Sequence, residues 1–326
     1  MAVRKIAALL AVFIVMLAMP STPMAQSDPF ALWLHDVAQE AVADGVSAAT
    51  VQQALTNITP DDQVLELDQK QPETTITFSE YAERIIKPAK IKKGGELLEK
   101  HQALLQEISA RYGVPPSVIV ALWGMESSFG HNGGDNSVIG SLATLAYQGR
   151  RAAFFRKELI EALHLLDEEH MDPTFLRGSW AGAMGQCQFM PSTFRHYAVD
   201  YDGDGRRDIW DNEADVFASI ANYLASEGWR VGQIWGREVR LSRRLPEDET
   251  GLERKETLAA WSRLGVRTMN GKPLPAKALQ ASLIQPDGAG GRSFLVYDNF
   301  RALMRWNRST YFATTVGLLA DQLNAY

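Results

Sequence analysis

The feature that most constrains this chain is a short apolar segment, Pro115–Ser127, that ends in a single carboxylate. Prolines at its first positions favour a helix that begins there. On that helix Ile119, Trp123 and Glu126 share one face, so Glu126 continues a stripe of large apolar side chains. Burial disfavours a charged carboxylate, and we expect the pKa of Glu126 to rise from about 4.3 to roughly 6. Such a group can donate a proton near neutral pH; the alternative is a helix-end glutamate that caps the helix or pairs with a neighbour.

A second constraint is the loop SWAGAMGQCQFMPS at Ser179–Ser192, which is rich in glycine and alanine and then carries amides and aromatics. Small side chains let a bulky polymer approach the backbone closely. Together with the carboxyl on the apolar helix, this loop indicates a groove that cleaves glycans. Hydrolysing glycosidases normally use two carboxylates, but the nearest second candidates by sequence are Asp135 and Asp172, neither at an obvious companion position. N-acetyl sugars can supply the missing nucleophile through their acetamido oxygen.

Length and composition are those of an ordinary globular protein. The 326 residues suffice for one large domain or two small ones, with 46% hydrophobic and 22% charged residues. The formal net charge is −6 and no basic patch stands out, which argues against nucleic acid as a partner; we expect a monomer. The single cysteine, Cys187, cannot form an internal disulfide, and a small buried loop residue is favoured over a nucleophile.

Residues 1–25 have the pattern of a secretory signal peptide. Arg4 and Lys5 precede an apolar run from Ile6 to Met19, two prolines break the run, and Ala25 offers a small residue for cleavage. The run is short for a membrane span, and an uncleaved anchor is the alternative. No cysteine follows the run, so we expect a periplasmic protein that is exported by a cleaved signal peptide and is not lipid-anchored.

The remaining residues, 26–326, are expected to form one catalytic domain of the α+β class, mostly helical with a small antiparallel sheet. Residues 58–80 read as irregular, and alternating patterns predict strands at 229–242 and 293–297. We divide this domain into a helical core at about 96–228, a small β-containing part at about 229–297 and a C-terminal helical return at 299–326. The helices are predicted at Pro29–Leu55 (two helices), Phe78–Lys87, Gly95–Tyr112, Pro115–Ser127, Ser141–Ala146, Arg151–Glu169, Pro191–Tyr197, Ala214–Glu227 and Phe300–Tyr326.

The segment 200–211, DYDGDGRRDIWD, has the spacing of an EF-hand-like calcium loop. Asp200, Asp202 and Asp204 fall at positions 1, 3 and 5, and Gly205 falls at position 6, where the sharp turn requires glycine. Arg206 would offer its backbone carbonyl at position 7. Close carboxylates without a cation would repel one another, and the alternative is a solvated acidic turn.

The end of this loop leaves two ways to complete the cation site. Asp208 falls at position 9, and Asp211 stands at position 12 in place of the usual glutamate. Asp211 either closes the loop or caps a helix that starts at Asn212. In the second case Asp215, one turn inside that helix, would supply the closing carboxylate.

Several ordered motifs resemble the lytic murein transglycosylase B family, glycoside hydrolase family 103. The resemblance runs from roughly residue 29 to 326. It implies a lysozyme-like catalytic core, peptidoglycan glycan strands as substrate, a structural Ca²⁺ and no organic cofactor, and leaves other cell-wall enzymes open as partners. The motifs are ESSFG at 126–130, the loop at 179–192, SIANYL at 219–224, the paired arginines at 150–151 and RWNRSTYFATTVGLLADQL at 305–323.

By resemblance, Glu126 is the sole catalytic acid/base. It protonates the bond between N-acetylmuramic acid and N-acetylglucosamine, the muramyl acetamido group assists, and Glu126 then takes the proton of the muramyl C6 hydroxyl. This closes a 1,6-anhydro ring without water, which makes the enzyme a lyase. The family's calcium loop closes late, which favours Asp215 over Asp211. The groove positions implied by the motifs are Tyr81, Arg150, Arg151, Ser179, Gln188, Phe189, Tyr223 and Asn307.

Two other functions remain as alternatives. One is a muramidase that uses water, and the other is a calcium-stabilised glycan-binding module without turnover. Cys187 stands where the family often has glycine. The sequence leaves open endo or exo action and any dependence on peptide stems.

Overall fold

The computed structural model describes residues 28–70 and 76–325, so the predicted signal peptide and part of the 58–80 segment lie outside the described residues. Most of the described chain is helical. Its α-helices are α1 (Pro29–Ala43), α2 (Ala48–Leu55), α3 (Asp62–Gln69), α4 (Phe78–Ile85), α5 (Pro88–Lys100), α6 (Gln102–Tyr112), α7 (Pro116–Ser127), α8 (Val138–Gln148), α9 (Ala152–Glu168), α10 (Pro191–Tyr197), α11 (Glu213–Ser226), α12 (Leu258–Arg263), α13 (Asp298–Trp306) and α14 (Thr310–Asn324).

Two small antiparallel sheets complete the described fold. The first two strands along the chain pair with each other, and the other five form one sheet in the spatial order fourth, sixth, seventh, third, fifth. The predicted α+β class, mostly helical with a small antiparallel sheet, is therefore confirmed. The strands are β1 (Asn136–Ser137), β2 (Arg177–Gly178), β3 (Gly236–Leu241), β4 (Glu256–Thr257), β5 (Val266–Thr268), β6 (Gln280–Ile284) and β7 (Ser293–Val296).

Helix α7 lies at the centre of the helical part. Every residue from Ser117 to Gly124 is buried, because apolar side chains surround the helix instead of lining one side of it. Helices α5, α6, α11 and α14 pack against it. Its indole, Trp123, makes edge-to-face contacts with Phe129 and Phe217. The helix that carries Glu126 is thus fixed from all sides.

The five-stranded sheet separates two apolar clusters. Alternate residues of a strand point to opposite faces of the sheet. Phe294 and Val296 of β7 belong to the cluster formed by the helices, whereas Leu295, between them, belongs to a second cluster with Val239 and Trp261. One face of the sheet therefore packs on the helices, and the other face is covered by α12 and the neighbouring loops.

Three predictions about helices are corrected. The helix predicted at Phe300–Tyr326 is in fact α13 and α14, because Asn307 between them is extended at φ −143° and ψ 122°. The segment 58–80 is not irregular throughout, because α3 forms within it and Asp61 caps that helix by accepting the N–H of Gln63. The single helix predicted at Gly95–Tyr112 is in fact α5 and α6, because His101 between them leaves helical geometry at φ −105° and ψ 18°. Of the strand region 229–242, only β3 is a strand.

The C-terminal helix α14 reaches the sheet region through a glycine. A Cβ on Gly317 would lie 2.3 Å from two atoms of the Trp235 indole. Trp235 is buried and donates its indole N–H to Asp321, on the next turn of α14, at 3.1 Å. The contact leaves no room for a side chain at position 317, so the glycine sets how closely α14 approaches Trp235.

Replacing Gly317 by alanine should lower the free energy of unfolding by about 1–3 kcal/mol, because the new Cβ displaces the Trp235 indole. Gly140→Ala in α8 is the matched control, since its Cβ would meet the nearest atom, Ser137 Oγ, at 3.4 Å. Alanine is favoured over glycine in a helix by about 1 kcal/mol, so the control should be neutral or stabilised. Urea unfolding followed by circular dichroism makes the comparison, and an unchanged Gly317→Ala midpoint would contradict this packing.

Candidate active site

The candidate site is built around one hydrogen bond between distant parts of the chain. Glu126 is half-buried in the last turn of α7, and its Oε1 accepts the indole N–H of Trp306, at the end of α13, at 2.6 Å. Burial raises the pKa of Glu126 to about 7, and the Trp306 hydrogen bond limits that rise by stabilising the carboxylate. The direction agrees with the expectation from sequence. This carboxyl can therefore both give and take a proton near neutral pH.

No second carboxylate contacts Glu126 among the residues that the structure describes. No carboxylate among residues 28–70 and 76–325 forms a hydrogen bond with Glu126, and burial and the Trp306 hydrogen bond account for its shifted pKa. Of the two candidates nearest by sequence, Asp135 is exposed, and Asp172 accepts the N–H of Thr174. The arrangement therefore suits a reaction that needs a single carboxyl group.

The turn that follows Glu126 holds the glycine- and alanine-rich loop in place. Gly130 has φ 83°, and a Cβ there would lie 2.5 Å from the Oε1 of Gln186. The same oxygen accepts the indole N–H of Trp123 at 2.7 Å, while the Gln186 amide donates to the carbonyl of Trp210 at 2.6 Å. One buried amide thus ties helix α7, the loop and the segment before α11 together.

Two predicted groove residues, Phe189 and Tyr223, lie next to Trp306. The Phe189 ring centroid is 5.3 Å from that of Trp306, and the Tyr223 centroid is 4.8 Å from it. Phe189 is 2% exposed and Tyr223 is 8% exposed, and the Tyr223 hydroxyl donates to the carbonyl of Arg305. Both rings therefore lie mostly behind the indole and hold it towards Glu126.

Tyr81 and Asn307 also lie beside the central pair. Tyr81, on α4, is half-buried against Tyr311, with ring centroids 5.8 Å apart. Burial raises the pKa of Tyr81, and the nearby charge of Glu126 raises it further. Asn307 is exposed and directly follows Trp306. Tyr81 is thus close enough to Glu126 for their charges to interact, and Asn307 is an exposed polar residue next to Trp306 in the chain.

Ser179 and Gln188 maintain the shape of the loop. The Ser179 hydroxyl accepts the N–H of Ala183 at 3.1 Å. The Gln188 amide donates to the carbonyls of Gly133 and Gly185 at 2.9 and 2.8 Å. Both side chains are partly exposed, so each retains surface for a ligand after making these bonds.

The paired arginines at the start of α9 make other contacts. Arg150 binds the buried carboxylate of Asp68 through its backbone N–H at 3.1 Å and its guanidinium at 3.5 Å. The Arg151 guanidinium lies over the rings of Phe154 and Phe155. No hydrogen bond or ring contact within the described ranges joins either arginine to the residues around Glu126, so their assignment to the groove stays a prediction.

The aspartate loop connects α10 to α11 and gathers three carboxylates. Asp200, Asp202 and Asp204 each bring an oxygen within 4.8 Å of the others. Gly205 has φ 92°, as the sharp turn at position 6 requires. The backbone N–H of Arg206 donates to Asp204 at 2.9 Å. Clustered oxygen ligands of this kind fit a hard cation such as Ca²⁺.

Asp215 reaches into this loop from α11. It is fully buried, and its two oxygens accept the N–H groups of Tyr201 and Asp208 at 2.8 Å each. Asp211 is exposed, and its own N–H binds Asp208. The expectation that Asp211 caps a helix starting at Asn212 is wrong, because Asn212 itself is the cap. Which carboxylate would close a cation site stays a prediction.

Cys187 is buried within the glycine- and alanine-rich loop. Burial raises the pKa of its thiol well above the usual value, and the charges of Glu126 and Asp215 add to this shift. A thiol of this kind is protonated at neutral pH and a poor nucleophile. The interpretation of Cys187 as a small buried residue is confirmed.

Two residues of the site were missed by the sequence analysis. Trp306 stands inside the motif that pointed to Asn307, but nothing in the spacing showed that its N–H meets Glu126. Gln186 stands inside the quoted loop, and its role depends on the separate positions of Trp123 and Trp210. Both contacts join segments far apart in sequence, so only the folded structure reveals them.

Comparison with known proteins assigns the family. The transglycosylase SLT domain family matches residues 29–321. The chain belongs to this family. Over 288 residues it is 32% identical to the membrane-bound lytic murein transglycosylase B of Escherichia coli (strain K12), a match that covers 85% of this chain and 78% of that protein.

Solved structures give the same assignment. The crystal structure of SltB3 from Pseudomonas aeruginosa in complex with NAG-anhNAM-pentapeptide is similar with a TM-score of 0.87 at 44% identity, covering 90% of this chain and 79% of that one. The Escherichia coli lytic transglycosylase Slt35 in complex with calcium has a TM-score of 0.78 at 30% identity, covering 92% and 94%. The chain is thus a lytic transglycosylase with the expected lysozyme-like fold.

No helix within residues 28–70 and 76–325 is long and apolar enough to cross a membrane. The predicted signal peptide lies outside these ranges.

Replacing Trp306 by phenylalanine should move the pH dependence of kcat/KM. The indole N–H stabilises the carboxylate form of Glu126, so its loss raises the pKa of Glu126 above about 7. Because the predicted proton transfer from Glu126 needs the protonated carboxyl, the fall of kcat/KM with rising pH should shift to higher pH. Trp235→Phe is the matched control, since it removes an indole donor to another carboxylate, Asp321. A profile for Trp306→Phe that matches the parent would show that the bond does not tune Glu126.

Proposed function

We propose that Glu126 is the only acid/base of a reaction that cleaves the bond between N-acetylmuramic acid and N-acetylglucosamine in peptidoglycan and leaves 1,6-anhydro muramyl ends. The observation that carries this proposal is the half-buried Glu126 carboxyl with a pKa of about 7, a hydrogen-bond donor on one oxygen and no companion carboxylate among the described residues. The related SltB3 structure contains NAG-anhNAM-pentapeptide, a ligand with such an anhydro end.

In the first step Glu126 acts as the acid. Its Oε1 accepts the Trp306 N–H, so the acidic proton belongs on Oε2, which is left to face the substrate. That proton passes to the glycosidic oxygen as the bond from this oxygen to the muramyl C1 breaks, and the acetamido oxygen of the same sugar stabilises C1. Glu126 is left as a carboxylate whose charge the Trp306 N–H stabilises.

In the second step Glu126 acts as the base. The carboxylate takes the proton of the muramyl C6 hydroxyl while that oxygen forms a bond to C1, which closes the anhydro ring and regenerates the acid. No water is consumed, so the two shorter strands together contain the same atoms as the glycan strand that was cleaved. A pKa of about 7 suits both directions of transfer, because neither protonation state is strongly favoured near neutral pH.

The groove residues belong to the same proposal. Tyr81 lies near Glu126, and Asn307 directly follows Trp306. Phe189 and Tyr223 support Trp306, and Ser179 and Gln188 shape the loop. Aromatic faces and amides suit sugar rings and acetamido groups, and the exposed Arg150 and Arg151 would pair with carboxylates of the substrate. Residues 26–326 would form a single catalytic domain, acting as a monomer in the periplasm after export.

A structural Ca²⁺ in the aspartate loop completes the proposal. Asp200, Asp202 and Asp204 offer side-chain oxygens, Arg206 offers its carbonyl, and Asp215 reaches the loop from α11 while Asp211 remains exposed. The related Slt35 is described in complex with calcium. The cation would hold the start of α11, which carries Tyr223, against the loop that follows α10.

The product separates this reaction from that of a muramidase that uses water. Digested sacculi should yield non-reducing 1,6-anhydro muramyl ends, lighter by one water than hydrolysed ends, and mass spectrometry before and after borohydride treatment reads both properties.

Glu126→Gln should fold, bind glycan and lose activity by several orders of magnitude, because no other carboxyl can replace it. Reducible, full-mass ends would instead support the muramidase, and near-parental turnover by Glu126→Gln would remove the acid/base assignment.

Calcium should stabilise the protein measurably. EDTA should lower Tm and added Ca²⁺ restore it, because a ligand that binds only the native state stabilises that state. Asp200→Ala combined with Asp204→Ala should abolish the response, whereas Asp36→Ala with Asp248→Ala, which removes two exposed carboxylates elsewhere, should keep it. Identical melting curves with EDTA and Ca²⁺ would mean that the loop is only an acidic turn.

A further inference from the structure

A second concave site lies on the five-stranded sheet, and none of the predicted groove residues lines it. A cleft of about 700 Å³ opens between β3, the turn that follows β3 and the connection from β6 to β7. Its volume is in the range of clefts that bind small ligands or peptide segments. The charged side chains that line it are Arg240, Arg243, Arg244, Arg292 and Glu238.

The cleft is strongly positive in a chain whose net charge is −6. Four arginines face one glutamate, and Arg292 already binds that residue, Glu238, through two hydrogen bonds of 2.8 Å. Among the described side chains, which do not include that of Glu247, no carboxylate lies at ion-pair distance from Arg240, Arg243 or Arg244, although the Arg243 Nε donates to the carbonyl of Leu264 at 3.1 Å. Three guanidinium groups are thus left to pair with an anion from outside the chain.

These arginines were overlooked in the sequence, where no basic patch stood out. Arg240, Arg243 and Arg244 are separated by apolar and small residues, and Arg292 lies about fifty positions further on. Antiparallel pairing of β3 with β7 places Glu238 opposite Phe294 and so brings Arg292 to the same end of the sheet as Arg240. The positive surface is therefore a product of strand register.

The register also fixes which way the cleft faces. Glu238 is paired with Phe294, so the two side chains lie on the same face of the sheet. Arg240 lies on this face as well, because alternate residues of a strand point to the same side. Phe294 packs edge-to-face on Phe78 of α4, and the Arg292 guanidinium lies over both rings at 5.1 and 5.5 Å. The cleft therefore borders α4, the helix that carries Tyr81 one turn further along.

We infer that this cleft binds carboxylates of the peptide stems of peptidoglycan, an inference that rests on the proposed function. Arginine forks match carboxylates in two-point contacts, and peptide stems carry free carboxylates at side chains and chain ends. A concave cleft of this size accepts a peptide segment, whereas a lipid surface needs a flat or convex face. Helix α4 links the cleft to the groove, so one strand can occupy Glu126 while its own or a neighbouring stem reaches the arginines.

The test compares sacculi that carry stems with sacculi stripped of stems by an amidase, which leaves the muramyl lactyl carboxylates on the glycan. Binding is measured by co-sedimentation of the full chain carrying Glu126→Gln, so that no cleavage occurs. Arg240→Ala with Arg244→Ala is the variant, because neither side chain forms a hydrogen bond or ion pair with another described residue. Arg263→Ala with Lys277→Ala removes two exposed positive charges elsewhere in the same part of the chain and is the matched control.

The cleft variant should bind intact sacculi about fivefold more weakly than the parent, the scale expected for two exposed charge pairs, and stripped sacculi equally well. The control should match the parent on both. Unchanged binding of the cleft variant to intact sacculi overturns the inference, and so does an equal loss of binding to stripped sacculi. Binding to phosphatidylglycerol vesicles is measured in parallel. Weaker vesicle binding by the cleft variant than by the parent would point to a lipid surface and would also overturn the inference. Product analysis of the protein with Glu126 intact keeps the two proposals apart: anhydro ends formed from stripped sacculi support the proposed function whatever the cleft variant does.

Discussion

The hydrogen bond from Trp306 to Glu126 is the interaction on which the rest of the structure depends. It joins residues 180 positions apart, one at the end of the most buried helix and one at the end of α13. Burial alone would raise the pKa of Glu126 further and favour its protonated form, because the charged form loses its hydration. The indole N–H returns part of that stabilisation, and the balance sets a pKa of about 7. One residue can then serve as acid and as base in turn.

Most of the surrounding fold serves to keep this pair in place. Helix α7 is apolar on all sides and is packed by four other helices, so Glu126 has little freedom at its backbone. Trp306 is held by Phe189 from the loop and Tyr223 from α11. Gln186 joins the loop to Trp123, one turn before Glu126. Polar and aromatic contacts are thus concentrated where α7, the loop, α11 and the end of α13 meet.

The features of this arrangement that depend on neighbouring residues could be predicted from the sequence. Helix α7, the direction of the Glu126 pKa shift, the positive-φ glycine at position 205 and the mostly helical class all follow from neighbouring residues and their spacing. The burial of Phe189 and Tyr223 could not be predicted from the sequence, because an aromatic residue suits either an open platform for a sugar or a buried support for another side chain. Nor could the partners of Trp306, Gln186 and Arg292, since each depends on contacts between elements far apart in the chain. The split at His101 was missed because no proline or glycine marks it.

The most direct test of this account is the titration of the Glu126 carboxyl itself. Carbon-13 NMR of protein labelled at the glutamate side-chain carboxyl, with the signal assigned by its absence in Glu126→Gln, would follow protonation of this one group in the folded protein. The pKa of Glu126 in the folded protein is expected at about 7, well above the ordinary value of 4.5. A signal that titrates near 4.5 would show that Glu126 is charged at neutral pH and would contradict its role as the proton donor.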